Sequence, residues 1–539
     1  MNQIFKFFRR EVSFKINRWT LLTLLIGVFI SLPIFLILFN ITNSTENWEH
    51  LKENTIGIYL KSTFILILGT SALTIIFGVS TAWMVTNYDF PGCRFFNWAL
   101  ILPMSIPTYI AAYSYFDVLE YLTPTLIWIR NNFGQDQMNL FNEVFVYITT
   151  IVVLSSVLYP YVYLLTRASF LNQGTQYVDV ARTLGCKQSL IFWKVGLPLA
   201  RPAIFSGVSL VIMETLNDYG AVKHFGIPTL TSGIFRTWMG LNDITSALRL
   251  SSYLIIFIVM VLLLEKWLRQ GARFDDKSGF KIEFENQKIQ TTQYLIPFIC
   301  CIIPLSLGFL IPVLRLCTWG YENIKVAFNV TFLKIIINSM GLALFSSLLV
   351  GFIAIILVFS ERYFKSTILR LTNRFASVGY SLPGAVIAIA MLLLVGHFTK
   401  FTGWILTGSI GILIFAYLIR FLAVAKQPID SGVEKYCDQI NETSRSIGTT
   451  AYQSLVSLNL PLLKNTIVAA TLFVFVDTLK ELPLTLILRP FNFETLATYT
   501  FDLAVQAQIP ESSLPALFII LVATLPVIWL NRQMEYNKI

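Results

Sequence analysis

The sequence is poor in charged residues. Only 13% of its 539 residues are Asp, Glu, Lys or Arg, whereas a soluble globular chain carries about a quarter. It has three histidines and six cysteines, none of them in a Cys-x-x-Cys pair, so neither a His-rich metal centre nor a disulfide framework is expected. It also contains no Gly-x-x-x-x-Gly-Lys-[Ser/Thr] loop, which excludes a nucleotide-hydrolysing domain of the P-loop class.

What the sequence has instead is long apolar runs. A run of about 20 apolar residues can cross a bilayer as a helix, and twelve candidate spans recur from end to end. The sequence therefore predicts an all-α membrane protein with about twelve transmembrane helices. The clear runs are Leu21–Phe39, Thr63–Trp83, Val144–Leu165, Tyr294–Leu314, Phe332–Ser360, Phe375–Val395, Trp404–Ile419 and Leu514–Leu530, and the shorter or proline-broken ones are Trp98–Tyr115, Ala203–Leu216, Tyr253–Leu264 and Thr466–Leu479.

The formal net charge of +10 raises the alternative of nucleic-acid binding. If the N-terminus is cytoplasmic, most Lys and Arg residues fall in segments on the cytoplasmic side of the twelve spans. This is the positive-inside pattern that orients helical membrane proteins. We therefore expect a lipid bilayer and no nucleic acid as the partner of this charge, and we expect both termini in the cytoplasm.

Two segments of the chain repeat one pattern 263 residues apart. Asp179-Val-Ala-Arg-Thr-Leu-Gly185 runs on to Leu197-Pro198, and Glu442-Thr-Ser-Arg-Ser-Ile-Gly448 runs on to Leu460-Pro461. Upstream, Leu102-Pro103 and Leu382-Pro383 form a further pair at a slightly different offset. Because each half holds six predicted spans, the repeats are parallel and related by an axis along the membrane normal.

Both repeated segments lie in cytoplasmic loops between spans. Each predicts a short helix, a glycine turn and a second short helix that ends at Leu-Pro. Gly185 and Gly448 can adopt a positive φ at little cost, while Pro198 and Pro461 disfavour continuation of a helix. We expect each loop to present a rigid helical knob to a cytoplasmic partner.

This pattern, an acid, a glycine six residues later and then Leu-Pro, resembles the coupling loop of binding-protein-dependent ABC importer permeases. The ideal motif begins Glu-Ala-Ala, and this chain departs from it with Asp179-Val-Ala and Glu442-Thr-Ser. The resemblance implies two tandem parallel repeats of the type I ABC importer permease domain. It assigns the coupling contacts to Asp179, Ala181, Arg182, Gly185, Leu197, Pro198, Glu442, Arg445, Gly448, Leu460 and Pro461.

The same resemblance implies the organisation of the chain and its partners. Residues 1–55 hold the N-terminal segment, the first span and an outer loop, and 56–268 form the first permease domain. Residues 269–331 hold a linker and the seventh span, 332–531 form the second permease domain, and 532–539 are a cytoplasmic tail. A separate ATPase dimer carries ATP and Mg, this chain binds no cofactor, and an extracytoplasmic binding protein delivers the substrate to one copy of this fused chain per transporter.

Acidic residues interrupt the fifth and eleventh spans at matching places. Glu214 and Asp218 in the first half correspond to Asp477 and Glu481 in the second. A charge near the centre of a bilayer costs about 2.5–3.5 kcal/mol on insertion scales, and interrupted spans at corresponding positions are a sign of a transport path. We expect these acids to line the path or contact a metal ion; the alternative is that they pair with Lys480, Lys223 or Arg489 as structural struts.

Several further motifs are similar to the fused ferric-iron ABC permeases. They include Glu214-Thr-Leu-Asn-Asp-Tyr-Gly220, Phe225-Gly-Ile-Pro-Thr229, Lys480-Glu-Leu-Pro483 and Leu488-Arg-Pro-Phe-Asn492. This resemblance implies ferric iron as the substrate and the bacterial inner membrane as the location. Thiamine and phosphonates are alternative substrates for the same machine.

Two other classes of function remain as alternatives. An ion-coupled secondary transporter would also have twelve spans in two parallel halves, although it would not need paired coupling loops. A membrane-embedded enzyme would need clustered His, Cys or Asp residues or a nucleophile beside a base. No such cluster is evident in the sequence, and we expect a transport subunit and not an enzyme.

Overall fold

The computed structural model describes residues 18–39, 45–172, 181, 183–269, 287–288, 294–327, 329–436, 442–444 and 446–536. This part of the chain is almost wholly helical. Its strands, within the described ranges, are the two-residue segments β1 (Tyr88–Asp89) and β2 (Gln287–Lys288), which pair in parallel.

The helices are numbered in chain order. The first twelve are α1 (Arg18–Phe39), α2 (Glu46–Asn54), α3 (Ile56–Asn87), α4 (Cys93–Ala99), α5 (Thr108–Ser114), α6 (Phe116–Glu120), α7 (Thr123–Phe133), α8 (Gln135–Asn172), α9 (Gln188–Ile191), α10 (Leu197–Asn217), α11 (Gly220–His224) and α12 (Leu230–Phe235). The others are α13 (Ile244–Arg269), α14 (Leu295–Leu305), α15 (Ile311–Ala327), α16 (Val330–Phe364), α17 (Thr367–Ala376), α18 (Gly384–Thr402), α19 (Ile410–Tyr436), α20 (Ala451–Gln453), α21 (Leu460–Leu479), α22 (Pro483–Leu488), α23 (Leu496–Val505) and α24 (Ser513–Tyr536).

Each of the twelve predicted spans overlaps described helix, although the span Trp404–Ile419 becomes helical only at Ile410 and the span Phe375–Val395 is broken at Leu382-Pro383. Within the described ranges, ten helical segments are long and apolar enough to cross a membrane by themselves. The third predicted span is a bent pair, Cys93–Ser105 and Thr108–Ser114, whose parts meet at 94°. The twelfth is the shorter apolar helix Ser513–Trp529. The prediction of an all-α membrane protein is therefore confirmed, and the estimate of about twelve spans becomes ten, or eleven with the bent pair.

On α3 the apolar side chains face outward and the hydroxyl side chains face the interior, the arrangement of a helix in apolar surroundings. Leu68 and Ile76 are 54% and 61% exposed, whereas Thr70, Thr74 and Thr81 are buried. The buried Thr81 hydroxyl donates to the carbonyl of Phe77, four residues back in the same helix, at 2.6 Å. A helix that hides hydroxyls and exposes leucine is suited to lipid, because backbone and side-chain polar groups must be satisfied within the protein there.

The chain divides into two compact units, each assembled from separated stretches. The first unit comprises Met1–Thr45, Thr237–Ser252 and Phe328–Tyr499, and the second comprises Glu46–Arg236, Tyr253–Ala327 and Thr500–Ile539. In the second unit α3, α8 and α10 pack against one another, and in the first α16, α19 and α21 do the same. These are corresponding helices of the two sequence halves, so the tandem repeat is a repeat of packing as well as of sequence.

Each unit also contains helices from outside this three-helix core. In the first unit α1 packs on α16, α17 and α18. In the second unit α14 packs on α3, while α15 packs on α5 and α24. The first span of the chain therefore belongs to the unit whose core comes from the second sequence half, which neither the repeat nor the hydropathy predicted.

The bent third span corrects one pairing of the repeat. The 3₁₀ segment Leu102–Ser105 is followed by Ile106-Pro107 and then α5, and Ser377–Ser381 is followed by Leu382-Pro383 and then α18. Pro107 and Pro383 cap the two helices with nearly equal ψ angles of 142° and 144°. Leu382-Pro383 therefore corresponds to Ile106-Pro107, and not to Leu102-Pro103, because the start of the helix fixes the register.

Small residues allow the core helices of the second unit to approach closely. A Cβ added to Gly78 of α3 would lie 2.7 Å from Val162 Cβ, and one added to Gly207 of α10 would lie 2.8 Å from Val162 Cα. Glycine at both positions therefore lets α3 and α10 meet α8 around one valine. Such small-residue contacts drive helix association in lipid, where no hydrophobic effect separates one apolar surface from another.

Alanine at Gly207 is expected to lower the thermal unfolding midpoint of the detergent-purified protein. The added methyl group would meet backbone atoms of α8, and overpacking of this kind costs about 1–3 kcal/mol. Gly341→Ala is the matched control, since Gly341 also lies within a core helix, α16, and its added Cβ would meet nothing within 4 Å. Equal midpoints for the two variants would contradict the close approach at Val162.

Candidate functional site

The structure describes most of the two predicted coupling loops. Asp179, Arg182 and Arg445 lie outside the described residues, whereas Ala181 and Ser444 lie within them. Both of these equivalent residues are buried, at 8% and 3% exposure. The third position of the motif therefore faces the protein in both copies, which accounts for its small side chain.

Both glycines of the motif have the left-handed backbone that the sequence predicts. The φ angles are 76° at Gly185 and 82° at Gly448. A Cβ at either position would meet nothing within 4 Å. The requirement for glycine is therefore conformational, because space is available and only the positive φ disfavours other residues.

A matching hydrogen bond closes each glycine turn. In the first loop the Cys186 amide, directly after the glycine, donates to the carbonyl of Ala181 at 3.0 Å. In the second loop the Thr449 amide donates to the carbonyl of Ser444 at 3.2 Å. This is the six-to-one bond of a Schellman cap, which ends a helix at a left-handed residue. The turn thus has one defined geometry in both loops.

An exposed apolar side chain precedes each glycine. Leu184 and Ile447 occupy equivalent positions and are both 76% exposed. Trp193 and Val456, also equivalent, are 65% and 41% exposed. Our sequence reasoning missed these residues, although their recurrence at the repeat spacing was a signal that could have found them. Exposed apolar patches of this kind mark protein–protein contacts.

The helix after each glycine turn does not end at Leu-Pro, contrary to the prediction. It continues through π segments, Phe192–Gly196 and Ser454–Asn459, directly into α10 and α21. Proline has no amide hydrogen and displaces the carbonyl four residues before it. One wider turn accommodates this loss without ending the helix, so Pro198 and Pro461 lie at the start of α10 and α21 within continuous helix.

Aromatic residues hold the π segment of the first loop. Trp83, at the end of α3, contacts Phe170 and Phe192 with ring centroids 5.2 and 5.1 Å away. A Cβ on Gly196 would lie 2.5 Å from the Trp83 ring. The first loop is therefore packed tightly on the helix above it.

The π segment of the second loop is held in the same way. Leu455 is buried in a cluster with Phe359 and Tyr363 of α16, and Leu460 of the motif packs against this cluster. Movement of either loop is therefore transmitted to the core helices, since close-packed side chains do not deform independently.

The acid of the second motif forms an ion pair within its own unit. Lys365 Nζ lies 2.7 Å from Glu442 Oε1. Lys365 is the C-cap residue of α16 and has a positive φ of 46°. Both side chains are about 60% exposed, so the pair contributes about 0–1 kcal/mol. It links the start of the coupling loop to the end of a core helix.

A capping box begins the second helix of that loop. The Gln453 amide donates to Thr450 Oγ1 at 3.3 Å, and the Thr450 amide donates to Gln453 Oε1 at 3.0 Å. The signature Thr-x-x-Gln was present in the sequence as a start signal for a helix, and our sequence reasoning did not use it.

Asp218 of the first half is a buried helix cap. Its Oδ1 accepts a hydrogen bond from the Val222 amide at 3.0 Å, and its Oδ2 accepts one from the hydroxyl of Thr108. The side chain lies between α10 and α11 and is 6% exposed.

Glu481 of the second half has the corresponding position. Its carboxylate accepts hydrogen bonds from the Leu484 and Thr485 amides, each at 3.1 Å. Arg420 Nε lies 3.8 Å from its Oε1. Lys480, Lys223 and Arg489 were the predicted strut partners, and the buried arginine of α19 was not among them.

The other two acids have less enclosed surroundings. Asp477 forms an ion pair with Lys480, one of the predicted partners, at 2.9 Å, and each side chain is 20% exposed. Glu214 is half-buried on α10 and has polar interactions of its own. Among the described residues no three His, Cys, Asp or Glu side chains come together as a group that could hold a metal ion.

Comparison with known proteins identifies transport permeases that are similar to this chain. Residues 74–274 match the family described as binding-protein-dependent transport system inner membrane component. Over 95% of this chain and 97% of the relative, the sequence is 26% identical to the Fe(3+)-transport system permease protein FbpB 2 of Haemophilus influenzae. Residues 74–274 are therefore similar to the membrane component of a binding-protein-dependent transport system, and the similarity to an iron-transport permease extends over nearly the whole chain. The chain is a multi-pass inner-membrane protein.

Other relatives match a smaller part of this chain. The sulfate transport system permease protein CysT of Escherichia coli is 26% identical over 33% of this chain and 61% of its own length. The molybdenum transport system permease protein ModB of Escherichia coli is 25% identical over 39% of this chain and 93% of its own length. The matched residues 74–274 include the first coupling loop together with Glu214 and Asp218.

Proposed function

We propose that this permease is the membrane subunit of an ATP-driven importer and that its two coupling loops dock on a separate ATPase dimer. The observation that carries the proposal is the recurrence of one rigid element, a Schellman-capped glycine turn preceded by a 76% exposed apolar residue, in both halves. Two copies of a rigid turn with an exposed apolar side chain fit two equivalent grooves on a dimeric partner. Closure of that dimer would move the two loops and alternate access to the path.

The partners follow from this arrangement. The ATPase carries ATP and Mg, hydrolysis takes place there, and this chain itself binds no cofactor and is not an enzyme. An extracytoplasmic binding protein delivers the substrate, and one copy of the fused chain serves each transporter. Both termini lie in the cytoplasm, on the side of the coupling loops.

The substrate that the observations favour is ferric iron. The relative that spans nearly the whole chain is named as an Fe(3+) transporter, while those named for sulfate and molybdenum match about a third of it. Acidic residues on the fifth and eleventh spans suit a hard cation. A path for an anion would offer unpaired Arg or Lys, yet the buried Arg420 is paired with Glu481. Thiamine or a phosphonate are the alternative substrates of the same machine, and ion-coupled transport is the alternative mechanism.

Uptake into proteoliposomes tests the proposed function. Vesicles containing this chain with its ATPase and binding protein are expected to accumulate radiolabelled ferric iron only when ATP is supplied on the ATPase side. Uptake that follows an ion gradient without ATP would overturn the importer and favour the secondary transporter. ATP-dependent uptake of labelled thiamine, phosphonate or sulfate in place of iron would support the ATP-driven importer and reject ferric iron as its substrate.

A further inference from the structure

Both units contain the same junction after an interrupted span. In the second unit α10 ends at Asn217, Asp218 follows, and α11 packs on α5. In the first unit α21 ends at Leu479, Lys480 and Glu481 follow, and α22 packs on α18. Each acid therefore lies where a short helix is placed against the helix that begins after Pro107 or Pro383.

The acid joins the N-terminal ends of the two helices at this junction. Asp218 accepts from the Val222 amide in α11 and from Thr108, the first residue of α5. Glu481 accepts from amides in α22, and its Oε1 lies beside Gly384, the first residue of α18. Helix N-termini favour a negative charge, so each carboxylate stabilises the contact between two helices. We call each set, Asp218 with Thr108 and Glu481 with Gly384, a carboxylate clasp.

The residues at the helix start compensate for the length of the acid. A Cβ on Gly384 would lie 2.5 Å from Glu481 Oε1 and 3.2 Å from Arg420 Nη1. The longer acid therefore occupies the space that the Thr108 side chain takes in the other unit. Its oxygens are held by buried amides, so it cannot move aside without breaking hydrogen bonds.

Polar and charged side chains surround the clasp at Glu481, whereas apolar side chains occupy the equivalent positions around Asp218. Arg420 donates through Nη1 to the Leu382 carbonyl at 3.1 Å, and Tyr417 Oη lies 2.6 Å from Thr485 Oγ1. At the repeat spacing of 263 residues the first half has only apolar side chains in these places. All six side chains are buried, and they are Leu154, Val157 and Val222 in the first half and Tyr417, Arg420 and Thr485 in the second.

We propose that Asp218 and Glu481 are positioning residues, and that the two clasps are interchangeable solutions to one task. The task is to hold the short helix after the span against the helix that follows the proline. One solution uses a short acid, a threonine hydroxyl and apolar neighbours. The other uses a longer acid, a glycine and a paired arginine. The carboxylates act through the helices that they join and do not bind the transported substrate.

Converting the second clasp into the first tests this proposal without reference to any substrate. Gly384→Thr alone is expected to lower the thermal unfolding midpoint of the detergent-purified chain by several degrees, because its side chain meets Glu481. The triple variant Gly384→Thr/Glu481→Asp/Arg420→Val, which copies the first half, is expected to recover most of the loss. A triple variant as unstable as the summed single variants, Glu481→Asp and Arg420→Val included, would show independent sites and overturn the proposal.

Rescue at Asp218 tests the positioning role in transport, and this part rests on the proposed function. Asp218→Asn keeps an oxygen that accepts from Val222, so most of the ATP-dependent uptake is expected to remain. Asp218→Ala removes the cap and is expected to reduce the initial uptake rate by about tenfold. If the asparagine variant loses uptake with an unchanged unfolding midpoint, the charge itself is required and the positioning role is wrong. Absence of iron uptake in the wild type would instead reject only the substrate, since the unfolding experiment does not depend on it.

Discussion

Replacing both coupling-loop glycines with valine is expected to abolish ATP-dependent uptake while the protein still inserts and purifies. Gly185 and Gly448 have φ angles of 76° and 82°, a conformation that costs an L-residue about 1–2 kcal/mol and a β-branched residue more. The strain would unwind both turns and move Leu184 and Ile447. Because these apolar side chains are the proposed contacts with the ATPase, stimulation of ATP hydrolysis by the loaded binding protein would be lost together with uptake.

Asparagine at the same two positions is the matched control. Asparagine tolerates the left-handed conformation, and a Cβ there would meet no atom within 4 Å. The Gly185→Asn/Gly448→Asn variant is therefore expected to retain most of the uptake. Undiminished uptake in the double valine variant would reject the coupling-loop assignment, and equal loss in both variants would show that bulk and not backbone conformation matters.

Neutralising Glu214 and Asp477 together is expected to reduce ferric-iron uptake by about tenfold or more. These acids occupy equivalent positions in the last turns of α10 and α21, four residues before the two clasp acids. Both lie within their helices, whereas Asp218 and Glu481 follow the last helical residue and cap the next helix. We therefore expect a hard cation to meet these two carboxylates along its path, and we expect Glu214→Gln/Asp477→Asn to weaken its passage without a large fall in the unfolding midpoint.

Lys480→Met separates this role from a purely structural one. It removes the 2.9 Å ion pair of Asp477 but keeps the carboxylate, so uptake is expected to remain. If Lys480→Met and Asp477→Asn impair uptake equally, the ion pair and not the carboxylate is what matters. Iron uptake that survives in the Glu214→Gln/Asp477→Asn variant would place the path elsewhere, and the permease would keep its iron assignment.

The spans and the repeat could be predicted because they depend on local pattern. Apolar length alone placed a helix at each of the twelve predicted positions, and the spacing of Gly185 and Gly448 indicated both left-handed turns before the backbone was known. Such features need only the chemistry of the residue itself, the solvent around it and its neighbours in the chain.

The remaining features depend on contacts between distant parts of the chain. Arg420 directly follows the predicted span Trp404–Ile419, and its partner 61 residues later could not be read from spacing. The misplaced pairing of Leu102-Pro103 arose because two similar dipeptides lie close together, and only the start of α5 distinguishes them. The packing of α1 on helices of the second half likewise has no local signal.

The π segments before Leu197 and Leu460 also set the direction in which the coupling loops face. A π turn holds one residue more than an α turn, and each residue of an α-helix adds about 100° of rotation and about 1.5 Å of rise. The extra residue in each loop therefore rotates the short helix before it, α9 or α20, about the axis of the span that follows, α10 or α21. The side of the span on which each knob lies can therefore change only in steps of one residue, which is about 100° of rotation.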